Sequence, residues 1–504
     1  MKQPLASLAA MLAFAGHGRA LADGPVPRDR PNIVYILADD LGYGDFGRLN
    51  RSGKIATPVF DRLAAEGVTC TDAHSGSAVC TPTRYGLLTG RYAWRSRLKR
   101  GVLGGYSPTL IEPGRPTVPA FLASHGYATA CVGKWHLGMT WPVKHGPPIA
   151  GDGYEAEPRI DFARPIADGP LTRVFGSFFG ISASLDMPPY VFIEGDRVVE
   201  PPTDRQPKAA GYVREGAKGP SFRFGAVLPA LTDRSVRFIG EQATLGPAHP
   251  FFLYLPLNAP HTPISPSAGF VGKSGVGDYG DFVMEVDASI GRVLDALRDR
   301  RLADNTLVIV TSDNGPERMA YPRIREYHHY SMGELRGIKR DAREGGHRVP
   351  FLARWPGKIP PGSASGEVIC HVDLMATVAA ILGVPVPAGA GEDSVDILPA
   401  LMGRPLDRPL REATVHHTGA GKFAIRQGSM VLIDAPTGDE NDEPDWFGQE
   451  RGYATHALPG ELYDLARDPA QGVNLYAKRP DDVKRLKALL EKYKAEGRSV
   501  PAKP

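Results

Sequence analysis

The sequence predicts an α/β fold, a large and mostly parallel sheet sandwiched by helices, followed by a smaller C-terminal α+β domain. Three observations predict it. Apolar strand-like runs alternate with helix-like segments over most of the chain, the rhythm of strands joined by crossover helices. Two of those runs, "VYILADD" and "VIVTSDN", end in oxygen-bearing side chains, and open parallel sheets gather ligands at the carboxyl ends of their strands. Beyond about Arg404 the apolar runs become short and alternating, a change of character that marks a second domain.

Taken in order, the chain starts with Lys2, the run "LASLAAMLAFAG" and Ala20-Leu21-Ala22 before Asp23. A charged start, a short apolar middle and small residues at a cleavage site make residues 1–22 a signal peptide, and place the mature protein as secreted or periplasmic. "NIVYILADD" from Asn32 reads as a buried strand. Thr57 to Gly67 reads as a helix with a Thr cap, Pro in its first turn and Gly at its stop, and "VTCTDAHS" as another strand. A helix at "TVPAFLASHG" and a strand at "YATACVGKW" repeat the pattern. From Trp141 to about Pro250 the chain is Pro/Gly-rich and weakly periodic, which predicts elaborated loops with a small hairpin at "YVFIEGDRVVE". Regularity returns with the strand "FFLYLPLNAPH", the long amphipathic helix "GDFVMEVDASIGRVLDALRDRR", the strand "NTLVIVTSDNG", then "VPFLARWPG" and the helix "HVDLMATVAAILG". These complete a large domain over residues 23–405. Short runs at "KFAIRQGSMVLID" and "GELYDLARDP" and a closing basic helix make up the C-terminal subdomain, 406–504.

Composition narrows the function. The 504-residue chain carries a formal net charge of only +3, too small to argue for nucleic acid, and no run after the leader suggests a membrane span. The locally basic "RYAWRSRLKR" is a solvated face or a place where acidic sugars rest, with Trp94 available to stack. Four cysteines, Cys70, Cys80, Cys131 and Cys370, are too few for a disulfide framework, though one or two bridges are allowed.

The two strand endings place Asp39-Asp40 and Asp313-Asn314 at one crevice. Either pair alone is as well explained as a turn former. Together, three carboxylates and an amide oxygen form a hard donor set suited to Ca²⁺ or Mg²⁺ and poor for Zn²⁺. Lys134 and His136 in "GKWHLG", His261 in "NAPHTP" and Lys339 in "GIKRDAREGGHRVP" are candidate cations, of the kind that spread transition-state charge on an anionic substrate and protonate a leaving group.

One stretch, "CTPTRYGLLTGR", carries a resemblance. Cys80, Pro82, Arg84, Leu88, Thr89, Gly90 and Arg91 match C-x-P-x-R-x-x-x-L-T-G-R, which resembles the signature of the type I sulfatases, the arylsulfatase-like, formylglycine-dependent branch of the alkaline phosphatase superfamily. The likeness extends to Asp39-Asp40, "GKWHLG", the Pro-His-x-Pro of Pro260 to Pro263, Asp313-Asn314-Gly315, Lys339 with Glu344-Gly345-Gly346, and "ELYDLARDP". Thr83 stands where the family more often has Ser, and keeps the hydroxyl.

The resemblance implies that a maturation enzyme oxidises Cys80 to Cα-formylglycine, whose hydrate attacks sulfur, giving a sulfated-enzyme intermediate that collapses to release sulfate. It implies Ca²⁺, with Mg²⁺ second, on Asp39, Asp40, Asp313, Asn314 and the modified Cys80. Arg84 would steady the hydrate and Lys134 would touch both hydrate and sulfate. His136 would trigger sulfate release, His261 and Lys339 would hold the ester and protonate the departing oxygen, and Asp313 would help deprotonate the nucleophile. A buried structural thiol, or a disulfide with Cys70, is the plain alternative for Cys80.

The expected function is therefore hydrolysis of sulfate monoesters of a sugar, with N-acetylgalactosamine 6-sulfate as the candidate; an aryl sulfate would serve as a surrogate. The stretch "HHYSMGELRGIKRDAREGGHRVP" is similar to polysaccharide sulfatases near the N-acetylgalactosamine-6-sulfatases. Two alternatives stand beside it: a phosphodiesterase or phosphonate monoester hydrolase of the same superfamily, and a catalytically silent sulfated-glycan-binding protein. Specificity is expected on loops at 91–106 and 141–250, on "REYHHY" and on the "HHTG" at His416.

Overall fold

The computed structural model describes residues 30–173 and 175–501, so the expected leader at 1–22 lies outside the described residues. Ten strands form one mixed sheet in the order Ser363–Ser365, Val68–Cys70, Phe351–Arg354, Thr306–Ser312, Asn32–Ala38, Phe251–Pro256, Ala128–Lys134, Ser177–Ile181, Ile193–Glu194 and Arg197–Val198. The five strands from Thr306–Ser312 to Ser177–Ile181 run parallel. Antiparallel partners flank this centre on both sides, among them the hairpin predicted at "YVFIEGDRVVE".

Strand alternation divides the centre between two cores. Along Asn32–Ala38, Ile33, Tyr35 and Leu37 point into one core, and Val34, Ile36 and Ala38 into the other. Helices Cys80–Thr89, Val118–Ala123 and Leu374–Leu382 cover the first face; Pro58–Glu66, Val227–Ala243 and Gly277–Asp299 cover the second. Burial on both faces explains why the central strands read as unbroken apolar runs.

Two local expectations are corrected. Helix Val227–Ala243 lies inside the stretch expected to be loop; its buried Val227, Leu228, Leu231, Phe238 and Ile239 keep helical spacing, which the surrounding Pro and Gly obscure. Thr57 precedes helix Pro58–Glu66 but makes no side-chain cap. The orphan N–H groups of Val59 and Phe60 instead donate to the Asp287 carboxylate, at 3.1 and 2.9 Å, from the long helix Gly277–Asp299.

The smaller unit is an antiparallel sheet of Thr414–His417, Phe423–Gln427, Met430–Ile433 and Glu461–Asp464, with helix Pro480–Glu496 packed on it through Val483, Leu486, Leu490 and Tyr493. Tyr92 and Trp94 of the large unit belong to that same core. No helix among the described residues is long and apolar enough to cross a membrane.

Candidate active site

The site is built where four neighbouring parallel strands end. Ala38 pairs with Ser312 in register, so Asp39-Asp40 and Asp313-Asn314 emerge side by side; Asp313 N–H donates to Ala38 O at 3.0 Å and Asp40 N–H to Asp313 Oδ1 at 3.2 Å. Beyond the next strand, Asp39 N–H donates to Ala259 O at 2.9 Å, which brings the loop carrying His261 to the same place. Lys134 ends the strand after that. The "DNG" and "EGG" motifs meet in space: Gly315 N–H donates to Gly346 O at 2.9 Å, and a Cβ on Gly315 would lie 1.8 Å from Gly345 O. Only glycine permits that approach.

Cys80 is the first residue of helix Cys80–Thr89, every residue of which is buried. Val79 provides no side-chain cap, so the first-turn N–H groups face the site without a capping oxygen. The Cys80 thiol lies 3.5 Å from Asp39 Oδ1. One turn on, Arg84 donates to Asp313 Oδ2 at 2.7 Å and to Lys134 O at 2.9 Å. Thr83 keeps its expected hydroxyl in use, donating to Ser77 O at 2.9 Å. Gly90 ends the helix in the left-handed region, with φ 67°.

Buried opposite charges are interleaved. Lys134 Nζ donates to Asp39 Oδ2 at 2.6 Å, and Lys339 Nζ to Asp40 Oδ2 at 2.8 Å. His261 Nε2 stands 3.7 Å from Asp40 Oδ2, while its Nδ1–H donates to Thr262 O at 2.5 Å. Burial acts to raise the Asp39 and Asp40 carboxyls, but Lys134, His261 and Arg84 hold Asp39 well below the usual carboxylate range, and Lys339 with His261 lowers Asp40. Burial acts to lower Lys339, yet Asp40 raises it, so it stays an ammonium. His136, with φ 55°, donates Nε2–H to Leu103 O at 2.8 Å and leaves Nδ1 buried with no partner. Burial, then Lys134 and Arg84, push that ring well below its usual range, keeping it neutral.

The donor set fits a hard cation. Asp39, Asp40 and Asp313 supply carboxylate oxygens, and Asn314 Oδ1 is buried without a partner while its Nδ2 donates to Asp40 Oδ1 at 2.7 Å. Ligand atoms of Asp39, Asp40, Cys80 and His261 all lie within 4.8 Å of one another. His261 thus stands closer to the expected ligand set than its place in the sequence suggests, and Asp313 is the carboxylate most engaged by Arg84.

A cavity of about 360 Å³ opens on Cys80, His136, His261 and Lys339. A larger one, about 960 Å³, lies at the junction of the two sheets, and none of the expected site residues lines it. Sequence reasoning missed part of the smaller cavity's wall: Asp186 and Arg214, which pair with each other, Tyr212, the Glu317–Arg340 pair at 3.3 Å, and Glu440. Asp186, Tyr212 and Arg214 do come from the 141–250 region expected to shape specificity.

Other expectations fail. Trp94 is buried, stacked on Tyr92 and edge-on to Phe423, and is not free for a sugar. Arg95 is tied to Asp393 at 2.8 Å and Arg91 to Glu112 at 3.1 Å, so these two arginines join parts of the fold. His329 of "REYHHY" is buried against Asp45 at 2.8 Å, and His416 is buried against His347, so neither lines the cavity, whereas Gly419 of "HHTG" and Gly101 and Val102 of the 91–106 loop do. All four cysteines are free and buried, so neither a Cys70–Cys80 bridge nor any other is formed.

The family described as Sulfatase matches residues 31–384 of this chain. The chain is 34% identical to an N-acetylgalactosamine-6-O-sulfatase of Bacteroides thetaiotaomicron, over 92% of this chain and 93% of that protein. It is 35% identical to arylsulfatase A of Bos taurus, over 90% of this chain and 85% of that one. A solved structure from work on glycosaminoglycan metabolism by Bacteroides thetaiotaomicron superposes with a TM-score of 0.78 at 32% identity, covering 93% of this chain and all of that one. Nothing in these likenesses favours a phosphodiesterase or a silent binding protein. With the family's pattern spanning most of the chain, and with sulfatases matching it nearly end to end, the chain belongs to the sulfatase family and is a sulfuric ester hydrolase.

Proposed function

We propose that this protein is a glycan sulfatase that removes a sulfate ester from a sugar, with N-acetylgalactosamine 6-sulfate as the leading substrate. It acts as a secreted or periplasmic enzyme after loss of residues 1–22, with 23–405 as catalytic domain and 406–504 as C-terminal subdomain. The observation that carries the substrate class is the 34% identity, over nearly the whole length of both chains, to a protein described as an N-acetylgalactosamine-6-O-sulfatase. The cavity against Cys80 supports it, being of a size for a single sugar ring with its ester.

The reading includes Cα-formylglycine at position 80, made by a formylglycine-generating or equivalent maturation enzyme, and Ca²⁺, with Mg²⁺ second, held by Asp39, Asp40, Asp313 and Asn314 beside residue 80. A hydrated aldehyde supplies two geminal hydroxyls, one to attack sulfur and one to expel sulfate, and a divalent cation supplies polarisation of the sulfate oxygens. The protein's own groups do the rest. Lys134 and Lys339, held by Asp39 and Asp40, are fixed positive charges that hold sulfate oxygens. Arg84, locked by Asp313 and Lys134 O, fixes the start of the helix relative to the strand ends and stands ready to steady residue 80. Asp313 takes up the nucleophile's proton. His261, anchored through Nδ1, turns Nε2 to the ester and, with Lys339, protonates the departing oxygen.

His136 is assigned to the release of sulfate, because its unpartnered Nδ1 is a neutral base on the cavity wall. In His136→Ala the alcohol product should appear in a burst ahead of sulfate, followed by turnover slowed by roughly 10²-fold or more. Rapid-quench measurement of both products checks this; equal loss of burst and steady state would move His136 to the first step.

The substrate class is tested by kcat/KM on a panel of sulfated mono- and oligosaccharides against nitrophenyl sulfate and an aryl phosphate diester. A galactosamine 6-sulfate should exceed the aryl sulfate despite its poorer leaving group, because sugar contacts remote from sulfur are usable in the transition state. Inactivity on every glycan with efficient aryl sulfate turnover would leave a small-molecule sulfatase.

A further inference from the structure

Away from the Cys80 cavity, three histidines from distant segments meet inside the protein. His74 ends the short strand Ala73–His74, His347 ends the helix Glu344–His347, and His416 lies in strand Thr414–His417 of the small sheet. All three are buried, and one ring nitrogen from each lies within 4.8 Å of the others.

Their outward hydrogen bonds determine where the ring protons are. His74 Nε2 lies 2.7 Å from Asp72 Oδ1, a carboxylate that only accepts, so Nε2 carries the hydrogen. Arg426 Nη1, which also donates to Asp72 Oδ1 at 2.6 Å, sits 3.2 Å from the same nitrogen, but the shorter contact to a carboxylate that can only accept sets the assignment. His347 Nε2 donates to Ala342 O at 3.2 Å, and His416 Nδ1 to Ser75 O at 3.1 Å. A neutral imidazole has one N–H, and each ring uses it outward. The inward nitrogens are then bare: His74 Nδ1 faces His347 Nδ1 at 3.1 Å, lone pair to lone pair, and His416 Nε2 is buried with no partner. A proton shared between the first two, favoured by Asp72 and opposed by Arg426, would relieve the repulsion. It would leave His416 Nε2 unsatisfied. A cation accepts all three lone pairs.

We propose that His74, His347 and His416 form a closed structural site for a first-row transition cation, Zn²⁺ in the first instance, separate from the oxygen-rich site beside Cys80. Imidazole nitrogen suits such an ion. Carboxylate and carbonyl acceptors on the far ring nitrogens are the support that metal-bound histidines characteristically have, because they fix the tautomer and raise ligand basicity. Glu344, whose Oε1 is buried without a partner while Oε2 receives Arg348 at 3.3 Å, gathers with Asp72 and His74 and not with all three rings, so it supplies negative charge beside the site. The ion's charge is met by Asp72 and Glu344, which Arg348 and Arg426 otherwise balance. The His347 and His416 rings lie parallel with centroids 3.8 Å apart, so a single ion is not in both ring planes and binding tilts His416. The cavity of about 960 Å³, lined by Asp72, Arg348 and Arg426, provides the way in. His74 lies on a two-stranded sheet with Ile369–Cys370, His347 on the helix Glu344–His347 and His416 on the small sheet, so the ion would tie the small sheet to the large unit.

The test uses the full-length protein, stripped of transition metals, resupplied with calcium and titrated with Co²⁺. Wild type should bind a single equivalent with the visible d–d absorption of a tetrahedral nitrogen-rich site, and Zn²⁺ should displace it and raise the melting temperature. Asp40→Asn should retain that absorption. His416→Phe, which keeps a stacking ring, should lose both the absorption and the Zn²⁺-dependent rise in melting temperature while still turning over aryl sulfate. Absence of the absorption in wild type, or its persistence in His416→Phe with loss in Asp40→Asn, would overturn the proposal. If His416→Phe fails to fold, imidazole ¹⁵N NMR of wild type decides: the inward nitrogens of His74 and His347 should read as unprotonated and shift on adding Zn²⁺. A charged His74 that does not respond to Zn²⁺ would overturn it.

Discussion

Cys80→Ala is expected to lower turnover of any sulfate ester by on the order of 10⁴-fold or more, because it deletes the nucleophile while leaving the surrounding charges in place. The fold should survive. Cys80 is buried, but its sulfur has a single polar contact, to Asp39, and losing one small buried group costs about 1 kcal/mol. An unmodified thiol at this position is a poor nucleophile. Burial, and then the charge of Asp313, push it well up, with Lys134 and Lys339 only partly opposing, so the sulfur would stand protonated. On the formylglycine reading, oxidation to the aldehyde would remove that obstacle. Peptide mass spectrometry of active material should accordingly find the thiol at position 80 replaced by aldehyde, and fully unmodified Cys80 in fully active enzyme would overturn the formylglycine reading.

Asp313→Ala should remove calcium and activity together, with turnover falling roughly 10³-fold or more. It should also destabilise the protein, since Arg84 is fully buried and loses its 2.7 Å carboxylate partner, retaining Asp39 at 3.6 Å as its only charged one beside the neutral Lys134 O at 2.9 Å. Breaking a buried pair from one side costs about 3–5 kcal/mol. Asp313→Asn separates the two effects: it keeps the shape and one oxygen, and should fold better than the alanine variant while remaining inactive. Metal content per chain, aryl sulfate turnover and thermal melting on both variants check this. Wild-type activity that resists calcium chelation would contradict the calcium assignment.

Much of the site was legible in the sequence because its residues sit at element ends, and element ends carry local signals. Asp39-Asp40 and Asp313-Asn314 follow apolar strands, and those strands are neighbours in register. Cys80 opens a helix and Lys134 closes a strand. His261 lies on the loop after the strand next to Asp39. The parts that were not legible depend on contacts between segments far apart. Asp287 caps helix Pro58–Glu66 from over two hundred residues away, so the Thr-Pro signal at its start marks the right boundary but the acceptor is Asp287 and not Thr57. Asp186, Arg214 and Glu440 reach the cavity from irregular or distant chain with no periodicity to announce them.

Sequence alone determined the α/β alternation, the change of character after about Arg404, the hard-oxygen chemistry of the two strand endings and the cysteine motif, because each is written in residues close together in the chain. Only the tertiary structure decided which exposed-looking residues are interior. The aromatic and basic segment at Arg91 to Arg100 reads as surface, yet Trp94 fills the core shared with the small sheet, and Arg95 and Arg91 are paired across the fold. "HHTG" reads as a binding loop, and its Gly419 lines the cavity, yet His416 is stacked on His347 inside the fold. Burial of a polar or aromatic side chain is set by what a distant segment brings against it, and a buried charge or imidazole is tolerated only where that segment also brings its partner.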